Sequence, residues 1–179
     1  MSSSALAQIQ PITLNRSTLD GSPLDPPEPP HIQPAFYAGL IINTIVGSTG
    51  SSELVELDVG DSNVSGYAAF EYGHLVRAVF INLHAWLASS TGVRPSVHID
   101  LDFVCDAAST TADLDAFWKR HVTARRLIID HADDVANLTW AGQSFETADV
   151  RATGRVVAEK VVLSEGLDLR STEAVLLEF

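Results

Sequence analysis

The stretch "GYAAFEYGHLVRAVFINL", residues 66–83, predicts a β-hairpin and with it the fold class. Two apolar runs, 66–72 and 75–83, flank the dipeptide Gly73-His74. Glycine at the first central position is typical of a type II′ turn, which joins two antiparallel strands. The second run is apolar on both faces, so we expect it to be a central strand.

Alternating apolar residues on both sides of the hairpin predict further strands. In residues 53–59 the side chains of Val55, Leu57 and Val59 fall on one face. Segment 111–120 fits either a helical turn or the start of a strand. Many short strands at turn-bounded spacing favour a mainly β chain, folded as an antiparallel β-sandwich. The remaining strands are predicted at 96–104, 121–129, 155–163 and 174–179.

One α-helix is predicted ahead of the strands, "PAFYAGLIINTIVG" at Pro34–Gly47. Proline suits the first helical position, and glycine suits the residue just past the last turn. A helix that is apolar on all sides is expected to be buried on more than one side. The apolar side chains that cover its faces are Phe36, Tyr37, Leu40, Ile41, Ile42, Ile45 and Val46.

Residues 1–33 are predicted to be a Pro-rich linker or disordered tail. Six of the eight prolines fall between Pro23 and Pro34, which favours polyproline II geometry over helix or central strand. The first 17 residues have no basic region followed by a continuous apolar run, so we predict no signal peptide in this chain. The sandwich is expected to span residues 48–179.

The charge balance bears on the class of partner. The chain has 11 basic and 23 acidic residues, and its net charge is −12. Nucleic acids and anionic lipids need a concentrated positive field, so neither is an expected partner. The single cysteine, Cys105, can form neither an internal disulfide nor a zinc site of the usual thiolate kind. The most apolar run, 37–46, is far shorter than the ~20 residues of a membrane-spanning helix.

Few residues suggest chemistry, and each also has a structural interpretation. His98, Asp100 and Asp102 project from one predicted strand face and could begin a metal site, but a solvated outer face is the favoured interpretation. The basic stretch 118–126 could attract an acidic sugar, although a strand with one charged face is favoured. The segment "GSTGSS", 47–52, lacks the lysine of a phosphate loop, so we interpret it as a helix stop and turn.

No catalytic, cofactor-binding or metal-binding residue is therefore assigned. The sequence has no Gly-x-Ser-x-Gly elbow. The three tryptophans, Trp86, Trp118 and Trp140, could stack on sugars, but burial is the commoner outcome. Acceptor patterns for N-glycosylation occur at Asn15, Asn63 and Asn137.

The chain resembles glycoside hydrolase family 79, the β-glucuronidases of fungal and bacterial type, over residues 31–179. The resemblance rests on blocks in the same order: "QPAFYAGLIINTIVG", "GYAAFEYGHLVRAVFINL", "RRLIID", "LTWAGQSFE", "TGRVVAEKVV" and "STEAVLLEF". It implies a C-terminal β-sandwich domain, in a family that is largely secreted and whose (β/α)8 barrel carries both catalytic glutamates. Pro34–Gly47 would correspond to the last barrel helix, and no glutamate of this chain matches a catalytic position.

The resemblance implies a non-catalytic accessory domain, truncated or split from its barrel. The alternatives are a free-standing carbohydrate-binding module and a part of a β-glucuronidase that acts with a separately encoded barrel. The expected partners are a (β/α)8 barrel or a second copy bound through the Pro34–Gly47 helix, with weak glycan contact as a further possibility. In the motif 138–154 we expect Trp140 to pack under a loop, Gly142 to adopt positive φ, and Gln143 and Ser144 to satisfy backbone groups. Glu146, Glu159 and Glu173 are expected in turn, strand and edge roles.

The helix also leads to an expectation about solubility. Without a barrel, its apolar side chains cannot all be buried against one sandwich face, so we expect self-association or a loosely held helix. On this view, glutamate at Ile41 and Ile45 should increase solubility without unfolding the sandwich.

Overall fold

The computed structural model describes residue 32 and residues 34–107, 118–147 and 149–179. Most of the ambiguous segment 111–120 and nearly all of the predicted tail, 1–33, lie outside these residues, so the tail remains a prediction. No helix in the described part of the chain is long and apolar enough to cross a membrane.

One α-helix and nine strands make up the described fold, which confirms the mainly β prediction. The helix α1 spans Pro34–Val46, close to its predicted bounds. The strands are β1 (Ser52–Leu57), β2 (Val64–Glu71), β3 (His74–Asn82), β4 (Ser96–Ile99), β5 (His121–Ile128), β6 (Thr139–Trp140), β7 (Glu159–Val162), β8 (Leu167–Arg170) and β9 (Ala174–Glu178).

The strands form one large and one small antiparallel sheet. The large sheet has the order β1-β2-β3-β9-β5-β6. The strand β7 also pairs with β5, at residues 121–124, whereas β6 pairs with β5 at residues 127–128. Strands β4 and β8 form the small sheet. The strand β3, apolar on both faces, lies between β2 and β9, so its predicted central position is confirmed.

Two apolar cores lie on opposite faces of the large sheet. One core fills the space between the two sheets and includes Phe80, Leu169 and Leu177, all fully buried. The other lies between the large sheet and α1, and includes Tyr37, Ile41 and Leu176. The protein is therefore a sandwich with a helical third layer, and α1 packs against the β domain itself.

The burial of α1 corrects the expectation about its exposed side. Tyr37, Ile41 and Ile45 are spaced four residues apart and face the sheet, with exposed fractions of 0%, 6% and 4%. Ile42 and Val46 lie on the outer side, with 59% and 37% exposed. The choice of Ile41 and Ile45 as surface residues was wrong, because one stripe of the helix enters the core and the neighbouring stripe does not.

The hairpin is confirmed, but its predicted turn is wrong by one residue. Glu71 pairs with His74, so the two turn residues are Tyr72 and Gly73. Their φ values are 54° and 78°. Positive φ at both central positions defines a type I′ turn, which glycine accepts at the second position and which matches the twist of the strands.

The other strand predictions hold in part. The strand predicted at 96–104 ends at Ile99, and a 3₁₀ turn follows at Asp102–Ala107. The strand predicted at 155–163 is confined to Glu159–Val162. In the edge strand β1, Val55 is 50% exposed, whereas Leu57 and Val59, predicted on the same face, are partly buried against the core between the sheets. The strands β6 and β8 were not predicted.

An arginine of β3 attaches the end of α1 to the sheet. The Arg77 Nε donates to the carbonyl oxygen of Ile45 at 2.9 Å, and the same guanidinium forms an ion pair with Glu71. Hydrogen bonding from Arg77 is the main cause that lowers the pKa of the Glu71 carboxyl below its ordinary value of 4.5. Ionised Glu71 thus favours the folded state.

The Arg77–Glu71 ion pair predicts that the free energy of unfolding depends on pH in the acid range. Because the folded-state pKa is depressed, its stabilising contribution is present above pH 4.5 and is lost as the pH falls through the folded value. The variant Glu71→Gln should therefore show a shallower loss of unfolding free energy on the acid side, measured by urea unfolding across this range. Glu53→Gln on the exposed strand β1 is the matched control, and equal flattening by both variants would contradict the assignment.

Candidate functional site

The motif that contains Trp140 forms a second tight hairpin. The backbone N–H of Trp140 donates to the Gln143 carbonyl at 2.9 Å, and the N–H of Gln143 donates back to Trp140 at 2.9 Å. Between them Ala141 and Gly142 have φ values of 49° and 75°. A Cβ on Gly142 would lie 2.7 Å from the carbonyl oxygen of Arg155, so backbone approaches too closely there for a side chain. The expected positive φ at Gly142 is confirmed.

The polar residues after this turn bond to backbone, as predicted. The side-chain amide of Gln143 donates to the Gly154 carbonyl at 3.4 Å, and the Ser144 hydroxyl accepts the N–H of Glu146 at 3.2 Å. Trp140 is 7% exposed and belongs to the core under α1. The motif is thus built into the fold.

Tyr37 of α1 joins the helix to this motif. Its hydroxyl donates to the Leu138 carbonyl at 2.8 Å and accepts the N–H of Phe145 at 3.1 Å. The rings of Phe36 and Tyr37 lie 5.4 and 6.0 Å from the ring of Phe145. A buried hydroxyl that satisfies two backbone groups holds this segment against the helix. No sequence pattern pointed to Tyr37 in this role.

The carboxylate of Glu146 is held by backbone at the start of the motif. Its two oxygens accept the N–H groups of Asn137 and Leu138, each at 2.8 Å. Asn137 has a φ of 66°, so the chain turns sharply at this point. This confirms the turn role expected for Glu146, and both oxygens are occupied by structural bonds.

Glu159 and Glu173 meet at Arg126 in a polar cleft of about 590 Å³. The Arg126 Nε lies 2.9 Å from a Glu159 carboxylate oxygen, and Nη1 lies 3.7 Å from Glu173. Nη1 also donates to the backbone carbonyl of Asp168 at 2.9 Å, which links the large sheet to the small one. Glu159 opens β7, as expected. The edge role expected for Glu173 was wrong, because this residue is 5% exposed in the turn before the central strand β9, where it accepts the Arg170 N–H at 3.2 Å. In this cleft Arg126 thus forms two ion pairs and one hydrogen bond, and the hydrogen bond joins the two sheets.

The predicted metal candidates do not converge. His98 Nδ1 lies 2.9 Å from Asp168, and its Nε2 lies 3.6 Å from Asp100. Asp102 lies on the following 3₁₀ turn and its side chain is exposed. Within the residues that the structure describes, no group of three or more His, Cys, Asp and Glu side chains could hold a metal ion.

The other two candidate segments, 118–126 and 47–52, have structural roles. In the basic stretch 118–126, Trp118 precedes β5 and packs against the core between the sheets, and Arg125 on β5 forms an ion pair with Glu178 at 3.0 Å. Segment 47–52 ends the helix, because the Gly47 N–H donates to the Asn43 carbonyl at 3.0 Å and Gly47 has a φ of 72°. The interpretation of 47–52 as a helix stop is confirmed. The basic stretch does enter a strand, but its single charged face was wrong, because Arg125 and Arg126 are consecutive and lie on opposite faces, beside Leu176 and Val175 of β9.

Comparisons with known proteins agree with this architecture. The family model described as "Glycosyl hydrolase family 79 C-terminal beta domain" matches residues 66–176, more than half of the chain. The fold is similar to the crystal structure of a 4-O-α-L-rhamnosyl-β-D-glucuronidase from Fusarium oxysporum 12S in complex with Rha-GlcA, with a TM-score of 0.62 and 20% sequence identity. The similarity covers 80% of this chain and 29% of that chain. No curated protein matches.

Proposed function

The chain belongs to the family of the glycosyl hydrolase family 79 C-terminal beta domain, and from this premise we propose that it is a non-catalytic accessory β-sandwich domain. One observation carries the proposal: the matched region, 66–176, belongs to the C-terminal β domain alone. The chain spans 29% of the length of the glucuronidase whose structure it resembles.

The positions of the carboxylates support a structural role. A retaining glycosidase needs an acid/base and a nucleophilic carboxylate ~5–5.5 Å apart and open to substrate. Glu146 is occupied by two backbone N–H groups, and Glu159 and Glu173 share the guanidinium of Arg126. A (β/α)8 barrel takes roughly 250 residues, more than the 179 of this chain.

The purified chain should not hydrolyse aryl β-glucuronides. The assay should follow release of the aryl group by the wild type and by three charge-removing variants, Glu146→Gln, Glu159→Gln and Glu173→Gln. We expect the same background rate in all four proteins, since none of these carboxylates has a catalytic role. A rate that copurifies with the wild type and is lost in a folded variant would refute the non-catalytic proposal.

A second candidate function, carbohydrate binding, is supported by one cleft. The half-buried Trp118 lines a cleft of about 560 Å³ together with Asp100, Asp102 and Ser164. An aromatic face with nearby hydrogen-bonding groups suits a sugar ring, and the two carboxylates favour a neutral sugar over a uronic acid. Calorimetry with neutral and uronic oligosaccharides separates the candidates, because an accessory domain without glycan affinity gives no heat with either.

We also propose that the outer side of α1 is the surface available to a barrel domain or a second copy. Ile42 and Val46 lie there, 59% and 37% exposed. Size-exclusion chromatography after co-expression with a family barrel tests the first partner. A concentration series of the chain alone tests the second.

A further inference from the structure

The large sheet has two open edges that differ in charge. The strand β1 forms one edge, and β7 forms the other beside residues 121–124 of β5. In the described part of the chain, β1 pairs only with β2 and β7 only with β5. Glu53 and Glu56 make β1 acidic. On β7, Glu159 is bonded to Arg126 within the same molecule, so Lys160 is the charge that β7 offers to a partner.

The directions of the strands allow these two edges to pair between copies. Each strand in the path β1-β2-β3-β9-β5-β7 is antiparallel to the next. Because the path has an even number of strands, β1 and β7 run in opposite directions. A second copy that is displaced sideways, with its α1 on the same side of the sheet, therefore sets its β1 antiparallel to β7 of the first copy.

The backbone of β7 has hydrogen-bonding groups that point outward. At the end of the β5–β7 pairing, the Leu163 N–H donates to the Arg120 carbonyl at 3.1 Å. Hydrogen-bonded residues alternate along an antiparallel pair. Lys160 and Val162 therefore direct their N–H and C=O groups away from β5.

The backbone of β1 has outward groups at two residues as well. Beside the β2–β3 pairing, the Leu83 N–H donates to the Asn63 carbonyl at 2.7 Å. By the same alternation, the β2 partner of Val55 bonds toward β1 rather than toward β3. Leu54 and Glu56, on either side of Val55, therefore direct their N–H and C=O groups away from β2.

One register brings these two sets of groups together. When Glu56 of one copy lies opposite Lys160 of the next, Leu54 lies opposite Val162. All four residues then meet through backbone groups that have no strand beside them in the single chain. Leu54 and Val55 are each 50% exposed, so the pairing also removes apolar surface from water.

Glu56 and Lys160 project from the same side of the sheet. Their sequence neighbours Leu57 and Val161 both contact the core between the sheets, so Glu56 and Lys160 point to the side of α1. Among the residues that the structure describes, neither of the two charged side chains has a hydrogen-bond or ion-pair partner. Opposite charges placed directly across two strands stabilise their pairing.

We propose that β1 of one copy pairs with β7 of a second copy, so that the large sheet continues from one molecule into the next. Two β1 edges do not pair in this way, because both are acidic. The contact is head-to-tail, so each added copy leaves one free edge of each kind. A pairing of so few residues is far smaller than a stable interface of roughly 1,200 Å², and the association is therefore weak and depends on concentration.

Sedimentation velocity of the full-length chain over a concentration series measures this association. We expect Glu56→Lys and Lys160→Glu each to raise the Kd by about tenfold, because an attractive charge pair becomes a repulsive one. An equimolar mixture of the two variants should associate like the wild type, since every edge then meets the opposite charge. Recovery in the mixture also shows that both variants are folded. Asp130→Lys makes the same charge change outside both edges and should leave the Kd unchanged.

A proline variant separates strand pairing from simple attraction between charges. Leu54→Pro removes an N–H that points away from β2, and proline is tolerated on an edge strand. We expect this variant to keep the circular dichroism of the wild type and to lose the association.

Three results would overturn the proposal. The first is a wild type that stays monomeric up to its highest soluble concentration. The second is an association that both charge reversals leave unchanged and that Ile42→Glu abolishes, because the contact is then through α1. The third is a folded Leu54→Pro variant that associates as strongly as the wild type.

Discussion

Replacing Ile41 and Ile45 together with glutamate should unfold the β domain, whereas glutamate at Ile42 and Val46 should leave it folded. The first pair is 6% and 4% exposed in the core between α1 and the large sheet, and the second pair lies on the outer side of the same helix. Truncating one buried isoleucine already costs about 2–5 kcal/mol, and burying an unpaired charge costs more. Because a domain has only about 5–15 kcal/mol of stability in total, two such changes exceed it.

Near-ultraviolet circular dichroism and thermal unfolding of the two double variants measure this difference. The pair is matched, since both variants add two glutamates to one helix at the same spacing. A folded Ile41→Glu/Ile45→Glu protein with raised solubility would mean that α1 is detachable from the β domain. That outcome would restore the expectation drawn from the sequence alone.

Replacing Tyr37 should cause the second largest loss of stability, in two separable steps. The variant Tyr37→Phe removes the hydroxyl that donates to Leu138 and accepts from Phe145. The buried carbonyl of Leu138 and the partly buried N–H of Phe145 then lose this partner. We expect a loss of about 1–3 kcal/mol. Tyr37→Ala also removes a fully buried ring that contacts Phe36 and Phe145, so the total loss should reach about 3–5 kcal/mol.

Urea unfolding of both variants gives these free energies, and Tyr72→Phe is the control. Tyr72 is 78% exposed in the hairpin turn, so removal of its hydroxyl should change stability by less than ~0.5 kcal/mol. Equal effects of Tyr37→Phe and Tyr72→Phe would show that the bonds between α1 and the motif at 138–145 contribute nothing.

The fold class followed from the sequence because strand periodicity and turn residues are local signals. The sequence predicts the hairpin at 66–83 correctly, but it places the turn one residue too late. Glycine suits the first central position of a type II′ turn and the second of a type I′ turn, so Gly73 alone does not decide between the two. The strands β6 and β8 have two and four residues. Such short segments are hard to recognise from an alternating pattern, and their pairing with distant strands defines them.

The role of α1 depended on contacts that the sequence does not display. Tyr37, Ile41 and Ile45 form one stripe, and Ile42 and Val46 another, but both stripes are apolar, so spacing cannot tell which one meets the sheet. The bond from Tyr37 to Leu138 joins residues 101 positions apart. The turn roles of Gly142 and Glu146 follow from the sequence, because turn chemistry at glycine and polar residues is local. Trp140 was expected under a loop and instead lies in the core under α1, a contact between distant segments.

Native-state hydrogen exchange tests most directly the central claim that α1 belongs to the core of the β domain. We expect the amides of Ile41 and Ile45 to exchange with the same opening free energy as those of Phe80 on β3 and Leu176 on β9, because helix and sheet unfold together. If the helix amides exchange with a much lower opening free energy while those of β3 and β9 stay protected, α1 does not belong to the core of the β domain.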